Sequence, residues 1–278
     1  METVTKLFDF EAWEAKLPEM VNKYQEGDPF PHIVLDDFLP VDAAQKAYES
    51  FPSVADQGWI HYVHFNEKKH GLNKKDLLPP FIQDLIEELN SERFLNWLTS
   101  LTGIEHLKED EMLEGGGLHQ SLRDGFLNIH ADFTVHPHKK NWRRRVNLLI
   151  YLNPNWKEEY GGFLELWSKD MKKCVHKVMP GFNKAVIFNT DADSFHGLPD
   201  PIKCPENDSR KSLALYYFTE EEKPIKVSTN YQGRPQDGMK KALIYLDKKA
   251  VDVYSRLKGI LGINDDFVSN LLNKFGKK

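Results

Sequence analysis

The chain has few cysteines. Cys174 and Cys204 are the only two, and they form no C-x-x-C pair. They read as ordinary cytosolic thiols, not as a disulfide framework. No apolar run approaches the length of a membrane span, and there is no internal repeat or low-complexity tract. Basic charge is not in excess either. The net charge of -5 argues against broad nucleic-acid binding. The first residues, METVTKLFDFEAWEAKLPEM, are acidic and lack an apolar h-region, so no signal peptide and a cytoplasmic location are expected. Gly and Pro are near average, while aromatics reach 12%, which excludes a disordered chain. With 278 residues, 40% of them hydrophobic, the chain can build one sizeable core with a small appendage.

The pattern divides the chain into three parts. Residues 1–111 read as a mostly helical support with one or more strands joining the core sheet. Asp9 can cap a helix through Trp13 and Leu17, and DPFPHIVLDDFL (28–39) reads as a turn plus a strand. A helix starts near Pro40 to Asp42. Phe81, Leu85, Ile86 and Leu89 fall at helical spacing, and Ser91 can cap a further helix that stops at Gly103. Residues 112–222 change character. RVNLLIYLN, GGFLELW, NKAVIFNT and SLALYYF are β-rich runs separated by turn signals such as EYGG and MPGF. Short strands at this spacing predict a sandwich or barrel, with a jelly roll as the natural candidate. Residues 223–278 read as a helical extension. Leu243, Leu246, Ala250, Tyr254 and Leu257 form a stripe ended by Gly259, and Asn264 can cap a last helix. This tail is expected to serve packing or homodimerisation, and no membrane contact is expected of it.

Eleven histidines make most of them bystanders. In NIHADFTVHPH (128–138), His130 and Asp132 share one side of a strand by alternation, and an imidazole plus a carboxylate suits a divalent metal. His136 and His138 lie beside Pro137 and a basic run with no following glutamate, so they read as solvated loop residues. His61 and His64 have helix-compatible spacing and read as a surface or substrate-side pair. A third ligand is needed, and His196 follows the apolar strand AVIF. On RKSLALYYF, Arg210, Ser212, Ala214, Tyr216 and Phe218 share a face, with Leu213, Leu215 and Tyr217 on the other. An arginine there can grip a carboxylate in a bidentate way, although a surface arginine at a strand start is the competing reading. GGG at 115–117 lacks the G-K-[ST] of a phosphate loop and reads as a turn. HKKNWRRR reads as a solvated basic loop entering a strand, with an anionic-substrate patch as the alternative. TDADS (190–194) reads as support for His196 or a capped turn, not as a second metal site.

The ordered set H-A-D (130–132), His196 after a strand and R-K-S (210–212) resembles the Fe(II)- and 2-oxoglutarate-dependent dioxygenases, within them the prolyl 4-hydroxylase-like branch. PFPHIVLDDFL, GGGLHQ, RRVNLLIYLNPNWKEEYGGFLELW, MPGFNKAVIFNTDADSFHGLPDP and SRKSLALYYF extend the resemblance over roughly residues 28–220. The resemblance implies a mainly β protein with flanking α, built on a double-stranded β-helix (jelly-roll) core. It implies that His130, Asp132 and His196 bind Fe(2+), and that Arg210 pairs with the distal carboxylate of the cosubstrate 2-oxoglutarate. Tyr151 matches a tyrosine bonded to the same carboxylate. Asn147 and Leu149 share its face and are expected to line the cosubstrate pocket, as are Leu164 and Ser212. Gln120 or Asn128 stands where other members place a tyrosine. The implied reaction is hydroxylation of an unactivated C–H bond with release of succinate and CO2, and ascorbate as a reductant. No separate acid–base dyad is needed, because the metal and cosubstrate carry the hard chemistry.

A prolyl residue of a protein or peptide is the first substrate expected, and a free amino acid, sugar or other small metabolite is the second. A non-catalytic jelly-roll binding module would not need the intact triad plus Arg210. A zinc hydrolase would leave Tyr151 and Arg210 without a purpose. The stretch 58–76 is the expected variable lid, since specificity lives on such loops.

Overall fold

The computed structural model describes residues 5–224 and 230–238. Four helices precede the main strands: α1 (Phe10–Gln25), α2 (Val41–Glu49), α3 (Pro80–Leu89) and α4 (Glu92–Thr102). Asp9 caps α1, its carboxylate accepting the Ala12 N–H at 3.2 Å. Ser91 caps α4 in the same way through Phe94. Gly103 ends α4 in the left-handed conformation at φ +71°, where a Cβ would be strained.

The strands are β1 (His32–Leu35), β2 (Ile60–His64), β3 (Glu67–Leu72), β4 (Lys108–Glu109), β5 (Gly117–Ser121), β6 (Phe126–Ala131), β7 (Trp142–Tyr151), β8 (Leu164–Trp167), β9 (Cys174–Val178), β10 (Lys184–Asn189), β11 (His196–Leu198), β12 (Arg210–Glu220) and β13 (Asn230–Tyr231). They form one sheet in the order β1-β10-β7-β12-β5-β3-β6-β11-β8-β9. Off this path, β2 pairs with β3, β4 with β12 and β13 with β6. The sheet folds over on itself. Tyr151, Val186 and Phe188 from one half pack against Leu164, Leu166 and Val178 from the other. This is the jelly-roll core that the strand pattern predicts.

Alternation sets the two faces. Leu148 and Ile150 of β7, Ile187 of β10, and Leu213, Leu215 and Tyr217 of β12 point outward into a cluster with Trp13, Leu85, Phe94 and Trp97 of the helices. Burying each such side chain is worth about 1.5–3 kcal/mol, so the helices are held on the sheet by this shared layer. The opposite face of β7 and β12 is left to line the interior.

Three expectations need correction. The first concerns His61 and His64, whose helix-compatible spacing gives way to the β2–β3 hairpin within 58–76. Neither IHYVH nor EKKHGL alternates apolar and polar residues, so propensity does not reveal them. Pairing of β3 with both β5 and β6 holds them as strands. His61 and His64 therefore lie on a strand, with His61 opposite His70.

The second correction is His136, which is fully buried instead of solvated. Its ring contacts Asp110 Oδ1 at 3.2 Å and packs against Trp142 and Phe218. Asp110 also accepts the N–H groups of Met112 and Glu114, a turn that is not visible in the local sequence around His136. His138 is exposed as expected, bonded to Glu114.

The third correction is in the tail. Residues 230–238 hold β13 and a 3-10 turn at Pro235–Asp237, not a helix. The helices expected at 243–257 and after Asn264, with the dimerisation expected of them, lie outside the described residues. No described helix is long and apolar enough to cross a membrane.

Candidate active site

Two antiparallel strands bring the distant histidines together. His130 of β6 and His196 of β11 are directly opposite in register, with ring centroids 4.6 Å apart. Asp132 follows β6. Its Oδ1 lies 3.3 Å from His130 Nε2 and its Oδ2 3.5 Å from His196 Nε2. The three ligand atoms lie within 4.8 Å of one another, the only such group among the described residues.

The tautomers follow from the backbone. His130 Nδ1 donates to Asn128 O and His196 Nδ1 donates to Ser194 O, both at 2.9 Å. With Nδ1 engaged by the backbone, each ring turns its Nε2 to the shared point, which is how a metal-binding histidine is oriented. Burial pushes His196 down to about 4, so it is neutral at neutral pH. Burial opposes the charge of Asp132, but Arg144 and the two histidines outweigh it and hold the carboxyl well below its ordinary range. Two imidazoles and one carboxylate could hold a divalent metal.

Arg144 is absent from the expected site. It is 1% exposed, with Nη2 2.9 Å from Asp132 Oδ2 and its guanidinium 3.3 Å from the Tyr216 ring centroid. Asn147 joins it: Arg144 Nε donates to Asn147 Oδ1 at 2.7 Å, and Asn147 Nδ2 donates to Asp132 Oδ2 at 2.8 Å. The basic run HKKNWRRR hid this residue because simple alternation from Tyr151 and Asn147 turns Arg144 outward. A β-bulge reverses it. Tyr217 pairs with Val146 but Phe218 pairs with Arg144, so β7 carries one extra residue and the parity flips.

The second half of the site lies along β12. Arg210 is 5% exposed, its Nε donating to Gly162 O at 2.8 Å. Its guanidinium sits 4.7 Å from the Tyr151 ring centroid. The Tyr151 hydroxyl is buried with no hydrogen-bond partner among the described residues. An orphaned buried hydroxyl beside a buried guanidinium fits a carboxylate, which would accept from both. Ser212, Asn147, Leu149 and Leu164 line the same pocket as Arg210 and the triad.

Gln120 and Asn128 do not line it. On β5 the pocket side is His119 and Ser121, while Gln120 falls on the opposite face and donates to Ser209 Oγ. Asn128 donates to Asn66 Oδ1 and Phe65 O. Burial pushes His119 down to about 3, with Lys69 adding to the shift.

A double-stranded β-helix with a two-histidine, one-carboxylate cluster at one end of a pocket and a buried arginine–tyrosine pair in its wall defines the class. Residues 116–218 match the family model described as 2OG-Fe(II) oxygenase superfamily. The match covers the strand-rich core of the chain, and that superfamily uses iron(II) and 2-oxoglutarate. The chain is similar to the mouse (Mus musculus) prolyl 3-hydroxylase OGFOD1, at 26% identity over 221 residues, 75% of this chain and 36% of that protein. It thus spans about a third of the length of this curated relative. Its fold is similar to a prolyl-4-hydroxylase from Pseudomonas putida (TM-score 0.52, 16% identity, 74% of this chain and 100% of that one). It is also similar to prolyl 4-hydroxylases from Phytophthora capsici (TM-score 0.52, 21% identity, 85% and 70%).

Proposed function

We propose that this chain is an Fe(II)- and 2-oxoglutarate-dependent dioxygenase that hydroxylates a prolyl residue of a protein or peptide, releasing succinate and CO2. One observation carries the reading. The triad of His130, Asp132 and His196 shares a pocket with Arg210, beside which lies the orphaned Tyr151 hydroxyl. Neither a metal hydrolase nor a binding module needs both halves. The similarity to a prolyl 3-hydroxylase supports the choice of proline.

In this reading the two imidazole Nε2 atoms and Asp132 Oδ1 hold the metal. Arg144 and Asn147 occupy Asp132 Oδ2 and keep the carboxylate turned to one side. Arg210 and Tyr151 hold the distal carboxylate of 2-oxoglutarate, which orients the cosubstrate along the pocket. Leu149 and Leu164 exclude water from its aliphatic part. Iron and 2-oxoglutarate, when bound, supply the oxidising chemistry that no side chain can. Residues 1–111 support the 112–222 core and contribute the β2–β3 hairpin to one wall of the pocket.

Anaerobic addition of Fe(II) and 2-oxoglutarate should produce a weak visible charge-transfer band. Exposure to air should then yield succinate and, with a peptide library, a product one oxygen atom heavier. Retention of the band and of succinate formation in Asp132→Ala would sink the metal assignment. Hydroxylation of small metabolites in place of peptides would sink the substrate.

A further inference from the structure

Lys69 of β3 lines the same pocket as the triad and Arg210, and the reading above gives it no role. β3 pairs with β6 through Glu67 and Lys68 and with β5 from His70 onward, so Lys69 sits where the strand passes between its neighbours. Continuing the β3–β5 register sets Lys69 level with Ser121, and Ser121 pairs with Arg210. The three form one cross-strand row facing the pocket. Lys69 and Arg210 flank β5 with Cα atoms about 10 Å apart, two strand spacings. Ser121 between them is small and leaves the space to a longer neighbour.

The ammonium is held but not saturated. Glu67 Oε2 lies 3.0 Å from it, and the Tyr62 ring centroid lies 5.2 Å away. Burial works against the charge, but Glu67 outweighs it and keeps Lys69 protonated. Glu67 is itself fixed on its other side by His64 Nε2 at 2.7 Å. An ammonium has three donors, and one acceptor leaves two for a ligand. Among the described lining residues the cations are Lys69 and Arg210, because Arg144 is engaged with Asp132 behind the wall.

We propose that Lys69 binds the carboxylate of 2-oxoglutarate that Arg210 does not take, so that the two ends of the dicarboxylate are held by two cations on either side of β5. The inference rests on the cosubstrate assignment made under Proposed function. It gives the β2–β3 hairpin a part in cosubstrate binding and makes Lys69 a binding residue contributed from outside the 116–218 region that matches the family.

The test is equilibrium binding of 2-oxoglutarate to the full chain loaded with Mn(II), without any prime substrate. Lys69→Met should weaken binding about 10–100-fold, the loss expected for hydrogen bonds to a charged group. Lys69→Arg should retain most of the affinity. Because Lys69→Met strands Glu67, the pair Glu67→Gln with Lys69→Met is measured beside it, and the same weakening is expected at an unchanged melting temperature. In competition, 2-oxobutanoate, which keeps the keto-acid end and lacks the distal carboxylate, should lose affinity in Lys69→Met but not in Arg210→Ala. Unchanged 2-oxoglutarate affinity in both Lys69 variants, with the expected loss in Arg210→Ala, overturns the role of Lys69 and leaves the cosubstrate reading standing. A loss confined to 2-oxoglutarate moves Lys69 to the distal end and overturns the assignment. Failure of the wild-type chain to bind 2-oxoglutarate removes both.

Discussion

Arg144 Nη2 lies 2.9 Å from Asp132 Oδ2, and both side chains are withdrawn from solvent. The pair sets the charge of the site before any metal arrives. Arg144→Met should leave an unpaired buried carboxylate and lower the unfolding free energy of the metal-free protein by about 3–5 kcal/mol. Arg144→Lys should recover only part, since an ammonium cannot both fork onto Asp132 and Asn147 and stack on Tyr216. Urea unfolding of the three proteins checks this, and equal midpoints would show the pair to be energetically idle.

Acid should destabilise the metal-free fold through His196. Its folded pKa of about 4 lies below the ordinary 6.5, so the unfolded chain takes up a proton that the folded chain refuses. This contribution is fully present above about pH 6.5 and falls by about 3 kcal/mol as pH drops toward 4. His196→Asn should flatten that part of the stability–pH curve. An unchanged slope between pH 6.5 and 4 would contradict the neutral, buried imidazole.

Tyr151→Phe should separate stability from binding. The hydroxyl is buried without a partner, so its removal should leave the unliganded protein as stable or up to about 1 kcal/mol more stable. The affinity for 2-oxoglutarate should fall at least about tenfold, the worth of a hydrogen bond to a charged group. Thermal melting and cosubstrate titration should thus move in opposite directions. A destabilised apo protein would mean the hydroxyl serves the fold.

Gly197→Ala should damage the metal site without touching a ligand. A Cβ there would meet Leu127 O at 2.7 Å and Asn128 O at 2.9 Å, forcing β11 away from β6 beside His196. Stability should fall by about 1–3 kcal/mol. Mn(II) affinity, read by calorimetry, should fall as the two histidines lose their opposed register. Wild-type affinity would show that β11 can shift without moving His196.

The two loop histidines should behave differently. His136→Ala should cost about 3 kcal/mol, because it empties a fully buried site against Trp142 and Phe218 and removes one partner of buried Asp110. His138→Ala should stay within about 0.5 kcal/mol, as an exposed pair does. Neither should alter Mn(II) binding. A metal deficit in either would reopen the reading of that loop.

Much of this was legible because strands alternate. Parity on RVNLLIYLN set Asn147, Leu149 and Tyr151 on one face, and the structure has Asn147 and Leu149 lining the pocket, with the Tyr151 ring beside Arg210. Parity on RKSLALYYF separated Arg210 and Ser212 from the helix-facing Leu213 and Leu215. Caps at Asp9 and Ser91 were equally readable, since a cap needs only the residues next to it. Alternation fails at an inserted residue. The bulge in β7 turned Arg144 inward against the rule, and it left the most important partner of Asp132 looking like part of a solvated basic run.

By itself, then, the sequence determined the local grammar: which apolar runs are strands, which face their residues take where no bulge intervenes, and that His130 and Asp132 stand side by side. Only the tertiary structure decided what meets across strands. It set His196 opposite His130, buried His136 on Asp110, made strands of the charged hairpin and aimed Lys69 at the pocket. The physical reason is range. Periodicity and capping act over a few residues, whereas register, bulges and burial are settled by partners tens of residues away.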